Sequence, residues 1–509
     1  MDHQVLFGLE TEYGITRDDP TNLDVVAESI ALVRAAQDDG VQMKWDYSCE
    51  DPHLDARGFR VDELRQDTDE ANYYAQDRDR PMSYTEIKSD LVLKNGARWY
   101  NDHAHPEYCT PECSTLLEIL QQDFIGDQLA MTCAEAVSAA DTEVNRVRIY
   151  KNNTDFQGHS YGCHENYLVR RSLPWADLSA ATVAFLTTRQ IFCGAGKYGV
   201  EDEDRFVGPG FQISQRGDFF RVIESVDTMQ KRPIVNTRDE PHADPAKWRR
   251  FHVICGDANL SPFATYLKVG TTAAVLEALS RGAPLDRVPT LAEPVKTIRD
   301  LSRDRSWKWE CRTSRGAPTT AIEVQRAYLE LAREFGESTP ERQQLLTEWA
   351  RVLDDLERDP ISTANRLDWS AKFELIEKFR KNEGIGEDDP WVRSLDLSYH
   401  LLDRNEGLFF ALLDQGSLRL PFDYESLTRT AVAAPQTTRA ALRGILIERF
   451  GDDIDAAQWD HVKLRNGAKK LDIDLRSLFD PDKVAKAVEI VRQSQSVAEL
   501  SALADFVRA

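Results

Sequence analysis

No stretch of this 509-residue chain approaches the roughly 18 consecutive apolar residues that a helix needs to cross a bilayer. Its eight cysteines, at 49, 109, 113, 133, 163, 193, 255 and 311, form no Cys-x-x-Cys pair, which excludes a small disulfide scaffold and leaves thiols that are reduced and mostly structural. Positive charge is also short. Lys and Arg number 63 against 86 Asp and Glu, a net charge of −23 that disfavours attachment to phosphate backbones or anionic lipid. The opening MDHQVLFGLETEYG has neither the basic nor the apolar segment of a signal peptide. A cytoplasmic protein without nucleic-acid or membrane partners is therefore expected. The phosphate loop G-x-x-x-x-G-K-[ST] and the nucleophile elbow G-x-S-x-G are missing as well.

Three further motifs start but do not finish. Gly194-Ala-Gly196-Lys-Tyr-Gly199 fits G-x-G-x-x-G, yet EDEDR follows where the helix that receives a pyrophosphate should begin. His164-Glu165 lacks a second histidine, because position 168 is Leu. Cys109 and Cys113 lie near His103 and His105 without a second ligand pair at zinc-finger spacing.

What is present is ordinary for a globular fold: 41% hydrophobic and 29% charged residues, in a chain long enough to bury a sizeable core. Residues 4–15 alternate as a strand does, placing Glu10 and Glu12 on one face. Residues 22–37 read as helical. Residues 41–86 lose periodicity and read as a long surface insertion, whose aromatics Trp45, Tyr47, Phe59, Tyr73 and Tyr74 imply docking. From 88 to about 275, β-like runs alternate with helical patterns at 114–140, 175–192 and 266–281. Helices are expected over 318–358, 370–381 and 396–414, then a helix-rich segment from 433 onward. The class is α+β, with a catalytic domain over 1–430 and a small C-terminal domain over 431–509.

Ionisable residues concentrate in four places. Glu10-Thr-Glu12-Tyr13 sets two carboxylates side by side, where they repel unless a cation or a base lies between them. Arg98, Tyr100 and Asp102 share one face of an extended run that continues to His105, Glu107 and Thr110. Asn152–Asp155 and Ser160–Tyr167 form the third group, with His164 inside it. The fourth is Asn236–Asp244, followed by Arg249 and Arg250, and Arg238 is its natural clamp for a phosphate or carboxylate. Hard cations such as Mg²⁺ favour oxygen ligands, so Glu10, Glu12 and Glu107 suit a magnesium platform. Nucleotide phosphates can be held by such a metal without a phosphate loop. ATP and Mg²⁺ acting on a carboxyl-derived substrate is the chemistry these groups suggest.

The same segments resemble the Pup ligase and Pup deamidase/depupylase family, relatives of glutamine synthetase and the carboxylate–amine ligases. The likeness runs through GLETEYG (8–14), KNGARWYNDHAHPEY (94–108), IYKNNTD (149–155), SYGCHENY (160–167) and TRQIFCGAGK (188–197). It continues through RPIVNTRDEPHAD (232–244), LKVGT (267–271), LDLSYH (395–400), PQTTRAALRG (435–444) and QWDHVKL (458–464). DYSCEDPHLDARGF (46–59) and the short Asp102-to-Glu107 spacing are similar to the depupylase branch, whereas CTPECST (109–115) is closer to ligase wording.

The resemblance implies a glutamine synthetase-like large domain, its curved and mainly antiparallel sheet backed by helices, plus a small helical C-terminal domain. It implies Mg²⁺ at Glu10, Tyr100 and Glu107, with Glu12 beside them, and ATP or ADP at Arg98, Thr110 and Trp459. Asp102 matches the catalytic aspartate, as nucleophile or as general base. His164, Arg238 and Arg443 lie in matching motifs as phosphate, metal or Pup-end contacts. Arg170 and Arg249, with Arg171 and Arg250, would supply a basic groove for acidic Pup. The implied activity is deamidation of the C-terminal Gln of Pup and release of Pup from lysines by a monomer. The alternatives are an ATP-consuming Pup–protein ligase, a Pup-binding relative without chemistry, and a small-molecule glutamate–amine ligase.

Overall fold

The computed structural model describes residues 5–21, 23–36, 40–42, 44–47, 50–64, 82–141, 145–202, 205–428 and 433–508. Its centre is a seven-stranded antiparallel sheet made of β1 (Phe7–Glu12), β2 (Gly40–Gln42), β3 (Leu91–Leu93), β4 (Arg98–Asp102), β5 (His105–Cys109), β6 (Cys163–Arg170) and β7 (Trp248–Val253). Their order across the sheet is β7–β6–β1–β5–β4–β3–β2. Strands β1 and β6 alternate strictly between buried and half-buried positions. Phe7, Leu9, Tyr167 and Val169 face the core, and Gly8, Glu10, Glu12, His164 and Asn166 face the other way.

Helices back the apolar face. Helix Pro262–Ser280 is buried on nearly every side, capped by Ser261 and flanked by helices Ala321–Phe335 and Pro340–Arg358. Helix Leu116–Ala140 starts with a Thr115/Glu118 capping box. Its Gly126 makes room for the ring of Tyr108 on β5, because a Cβ there would lie 2.4 Å from Cδ1 of that ring. β5 is thereby pressed against the helix and its charged face turned outward. Among the described residues, no helix is long and apolar enough to cross a membrane.

Two expectations are modified. The C-terminal segment carries helices Arg439–Phe450, Pro481–Gln493 and Ser501–Arg508, but they pack on a three-stranded meander, 454–457, 461–466 and 469–474. Those strands are short and rich in charge, so their alternation is lost beside strongly helical neighbours. The insertion is not a free surface element in its described half. Strand Lys44–Trp45 adds in parallel to Ile454–Ala457, and Trp45 is only 2% exposed in a core shared with Leu442, Leu446, Val462 and Leu464. The hairpin Leu54–Arg60 docks on Thr237, whose carbonyl accepts from Ala56 N at 2.7 Å. Tyr73 and Tyr74 lie outside the described residues.

The G-x-G-x-x-G segment leads into strand Lys197–Asp202 and not a helix, and the Lys197 ammonium is buried against Glu201 and Asp218. This is the ion pairing of a folded core and not a phosphate cradle.

Candidate active site

Antiparallel register converts the scattered motifs into rows on the open face of the sheet. Glu10 pairs with His164 on one side and Cys109 on the other, and Cys109 pairs with Arg98. In the next row Glu12, Glu107 and Tyr100 are opposed, and beyond it His105 opposes Asp102. All of these line one cleft of about 880 Å³.

Glu12, Asp102 and Glu107 bring one carboxylate oxygen each to within 4.8 Å of one another. Glu107 is 3% exposed. Burial, then the negative charges of Asp102, Glu12 and Glu10, push its carboxyl well above the usual range. An all-oxygen set that repels itself, with one buried and two half-buried carboxylates, fits a hard divalent cation such as Mg²⁺. Tyr100 stands beside this set; burial and the charges of Asp102 and Glu107 keep its phenol protonated.

Asp102 has both oxygens engaged. The Lys88 ammonium meets Oδ1, and His103 Nδ1 lies 2.9 Å from Oδ2. Burial opposes its ionisation, but His103 and Lys88 outweigh that and hold the carboxyl well below the usual range.

Glu10 sits with His164 and His252 in a second group whose ligand atoms lie within 4.8 Å of one another, so the expected four-residue platform divides between two groups that could each hold a metal ion. Its oxygens lie 3.2 Å from His164 Nδ1 and 3.7 Å from His252 Nε2, accept from Asn166 Nδ2 at 2.9 Å, and face Arg250 at 3.5 Å. Burial opposes its charge, but His164, His252 and Arg250 hold Glu10 well below the carboxylate range. Burial and Arg250 push His252 down to about 3, so that imidazole is neutral.

The expected nucleotide contacts divide as well. Arg98 lies 3.7 Å from the Tyr100 ring centroid and 3.9 Å from that of Trp45, with Nε donating to Asp90 at 2.9 Å. Thr110 accepts from Leu9 N at 2.9 Å and lines a side cavity of about 90 Å³ between Gly8, Pro241 and Phe479, while Trp459 lines both that cavity and the main cleft. Arg238 lines the main cleft, half-buried, its Nε without a hydrogen-bond partner. Arg443 does not line either cavity. It is 0% exposed, and its guanidinium donates to Gly96 O, Glu112 and Trp459 O, which makes it a strut beneath Trp459.

The basic groove is also corrected. Arg249 falls on the opposite face of β7 from Arg250, with Nη1 on Leu173 O at 3.0 Å and its guanidinium 5.4 Å from the Trp175 ring. Arg170 shares the open face but stacks on Trp248, 4.4 Å away, outside the cleft. Arg171 pairs with Asp239 at 2.9 Å. The cations that do line the cleft are Lys88, Arg98, Arg216, Arg232, Arg238 and Arg250.

Sequence reasoning missed Lys88, Asp90 and His252. His252 was within reach, since alternation along β7 puts it on the face of Arg250. Lys88 carried no signal, because a five-residue helix, Tyr84–Lys88, delivers it.

The Pup-ligase protein family model matches residues 5–463. A depupylase of Acidothermus cellulolyticus is 41% identical over 476 residues, spanning 90% of each chain. The ligase PafA, solved in complex with the prokaryotic ubiquitin-like protein Pup, superimposes with a TM-score of 0.76 at 29% identity, covering 100% of this chain and 97% of that one. The Pup ligase PafA solved with ADP gives 0.70 at 32% identity, covering 89% and 95%. By the extent of the family match and of the depupylase likeness, this chain belongs to the Pup-ligase protein family.

Proposed function

We propose that this chain is a nucleotide- and Mg²⁺-dependent amidase that deamidates the C-terminal Gln of Pup and cleaves Pup from substrate lysines. The observation that carries the reading is Asp102, an ionised carboxylate with both oxygens tethered, bordering Glu12 and Glu107. Its low proton affinity makes it a poor general base. Direct attack on the amide carbon is the route its surroundings favour: an Asp102 oxygen bonds that carbon as the C–N bond breaks, the nitrogen takes a proton from water and leaves as ammonia or the lysine amine, and the hydroxide so formed cleaves the acyl–Asp102 bond. Glu12 and Glu107 would hold Mg²⁺, which supplies charge to steady nucleotide phosphates and polarise the amide oxygen. Arg238 and Arg250, deep in the cleft, offer guanidinium donors to phosphate or to carboxylates of the tail.

Likeness to a depupylase that spans 90% of this chain, against 75% for a Pup–protein ligase of Nocardioides, supports hydrolysis over ligation. So does the insertion, whose Tyr47, Glu50 and Pro52 stand in the cleft wall. In this reading residues 1–430 are the catalytic unit, 431–509 close the nucleotide end, and a monomer acts in the cytoplasm.

The test is to incubate the protein with Mg²⁺ and a non-hydrolysable ATP analogue, separately with Gln-ended Pup and a Pup–lysine conjugate, and follow intact masses. A gain of 1 Da and release of free Pup are expected from the exchange of amide for acid. Inert substrates, together with ATP-consuming attachment of Glu-ended Pup to lysine, would instead establish the ligase.

A further inference from the structure

Resting on that amidase reading, we infer that His103 is a positioning residue whose imidazole, held in a strained turn, works with Lys88 to fix the Asp102 carboxylate for attack. Strands β4 and β5 are joined by two residues only, His103 and Ala104, with Asp102 paired to His105. Both turn residues have positive φ, 47° and 82°. Such a turn favours Asn-Gly, and neither residue here is glycine. Something else keeps each of them in place.

Ala104 has a packing reason. It is 5% exposed and forms a small cluster with Val26 and Ile30, so its methyl group holds the turn against the first helix. His103 is placed differently, its side chain 30% exposed and lining the cleft. A polar contact ties it to the site, Nδ1 to Oδ2 of the adjacent Asp102 at 2.9 Å. Lys88, 8% exposed, takes the other oxygen. Donors on both oxygens stop the carboxylate turning about its last bond. Groups that orient a reacting side chain in this way are worth about tenfold to hundredfold in activity at comparable sites.

The substitution His103→Gly relieves the backbone and removes the ring. His103→Asn tolerates the left-handed conformation and places an amide N–H where imidazole Nδ1 was. We expect His103→Gly to keep or raise the melting temperature and leave KM for Gln-ended Pup unchanged, with kcat lower by about tenfold to hundredfold. His103→Asn should regain most of that loss. Wild-type kcat in His103→Gly, or Asn no better than Gly, overturns the inference. Asp102→Asn serves as the control, since turnover kept by that variant removes Asp102 as the attacking group and overturns this inference while leaving the amidase reading in place. Should the wild type turn over no amide at all, ring ¹⁵N spectra still decide. Asp102→Asn must move one histidine Nδ1 signal, and that signal must be the one missing from His103→Gly. No such shift overturns the inference.

Discussion

The guanidinium of Arg98 lies 3.9 Å from the ring centroid of Trp45, so a residue of the insertion forms one wall around a central side chain of the cleft. Removing that wall should act on fold and site together. Trp45→Ala is expected to cost about 3–5 kcal/mol by emptying a buried position and to weaken ADP binding. Thermal unfolding with and without ADP measures both effects, and an unchanged ADP-induced shift would separate Trp45 from the site.

Asp102→Asn should reduce amide turnover by at least about a thousandfold while ADP binding stays within about threefold, since it removes the attacking group and leaves the surrounding donors. Calorimetry with ADP and mass-detected turnover report the two quantities. Retained turnover would remove Asp102 from its role.

Glu107 predicts a coupling between metal and protons. Its carboxyl is held well above the usual range by burial and by Asp102, Glu12 and Glu10, so Mg²⁺ must displace a proton. Apparent Mg²⁺ affinity should therefore rise with pH, and Glu107→Gln should weaken it at least about tenfold. Titration calorimetry in buffers of different ionisation heat reads the proton release directly. An equal heat in every buffer would contradict it.

Glu112 links the strut to stability. Burial would raise its pKa, but Arg443 and Arg439 outweigh that and hold it at about 2, from an ordinary 4.5. A depressed acid stabilises the fold above its unfolded pKa, so this contribution is full above pH 4.5 and lost as pH falls toward 2. It amounts to roughly 3 kcal/mol. Glu112→Gln should flatten that part of the stability curve, whereas Arg443→Met should cost about 3–5 kcal/mol at neutral pH by leaving Glu112 with Arg439 alone and the Gly96 and Trp459 carbonyls without their buried donor. Denaturant unfolding between pH 2 and 7 tests both.

Arg249 and Arg250 are neighbours with opposite fates. Arg250→Ala should weaken substrate or nucleotide binding at least about tenfold by removing a charge beside Glu10 and Asn166. Arg249→Ala should leave binding within about twofold and lower stability instead, since its contacts are Trp175 and Leu173 O. Equal losses of binding in the two would show that the strand presents both to ligand.

The central strands were legible because alternation is local. GLETEYG announces both its face and its charge, and the cluster from Arg98 to Glu107 follows by the same rule. What alternation cannot supply is register between strands. Glu10 was therefore grouped with Glu107, although its hydrogen bonds run to His164 and Asn166 on the far side of β1. Arg443 and Arg249 illustrate a second limit. A guanidinium beside a motif looks the same in sequence whether it meets a ligand or a carbonyl, and only packing shows that theirs meet Gly96 and Leu173. Lys88 was invisible because it reaches Asp102 from a single turn of helix beside the insertion.

Strand Lys44–Trp45 completes the edge of a sheet whose other members lie within 454–474, and Gln458 reaches the Asp46 carbonyl across 412 positions. A ribosome adding ~5–20 residues per second needs roughly 20–80 s to cover that distance. Through that interval Trp45 has no core to enter, and the wall beside Arg98 does not exist. The nascent chain thus holds its Glu12, Asp102 and Glu107 carboxylates long before it has a finished pocket. Completion of the cleft waits on the synthesis of residues 454–474, and a chain cut short after the large sheet would carry the chemistry without the enclosure.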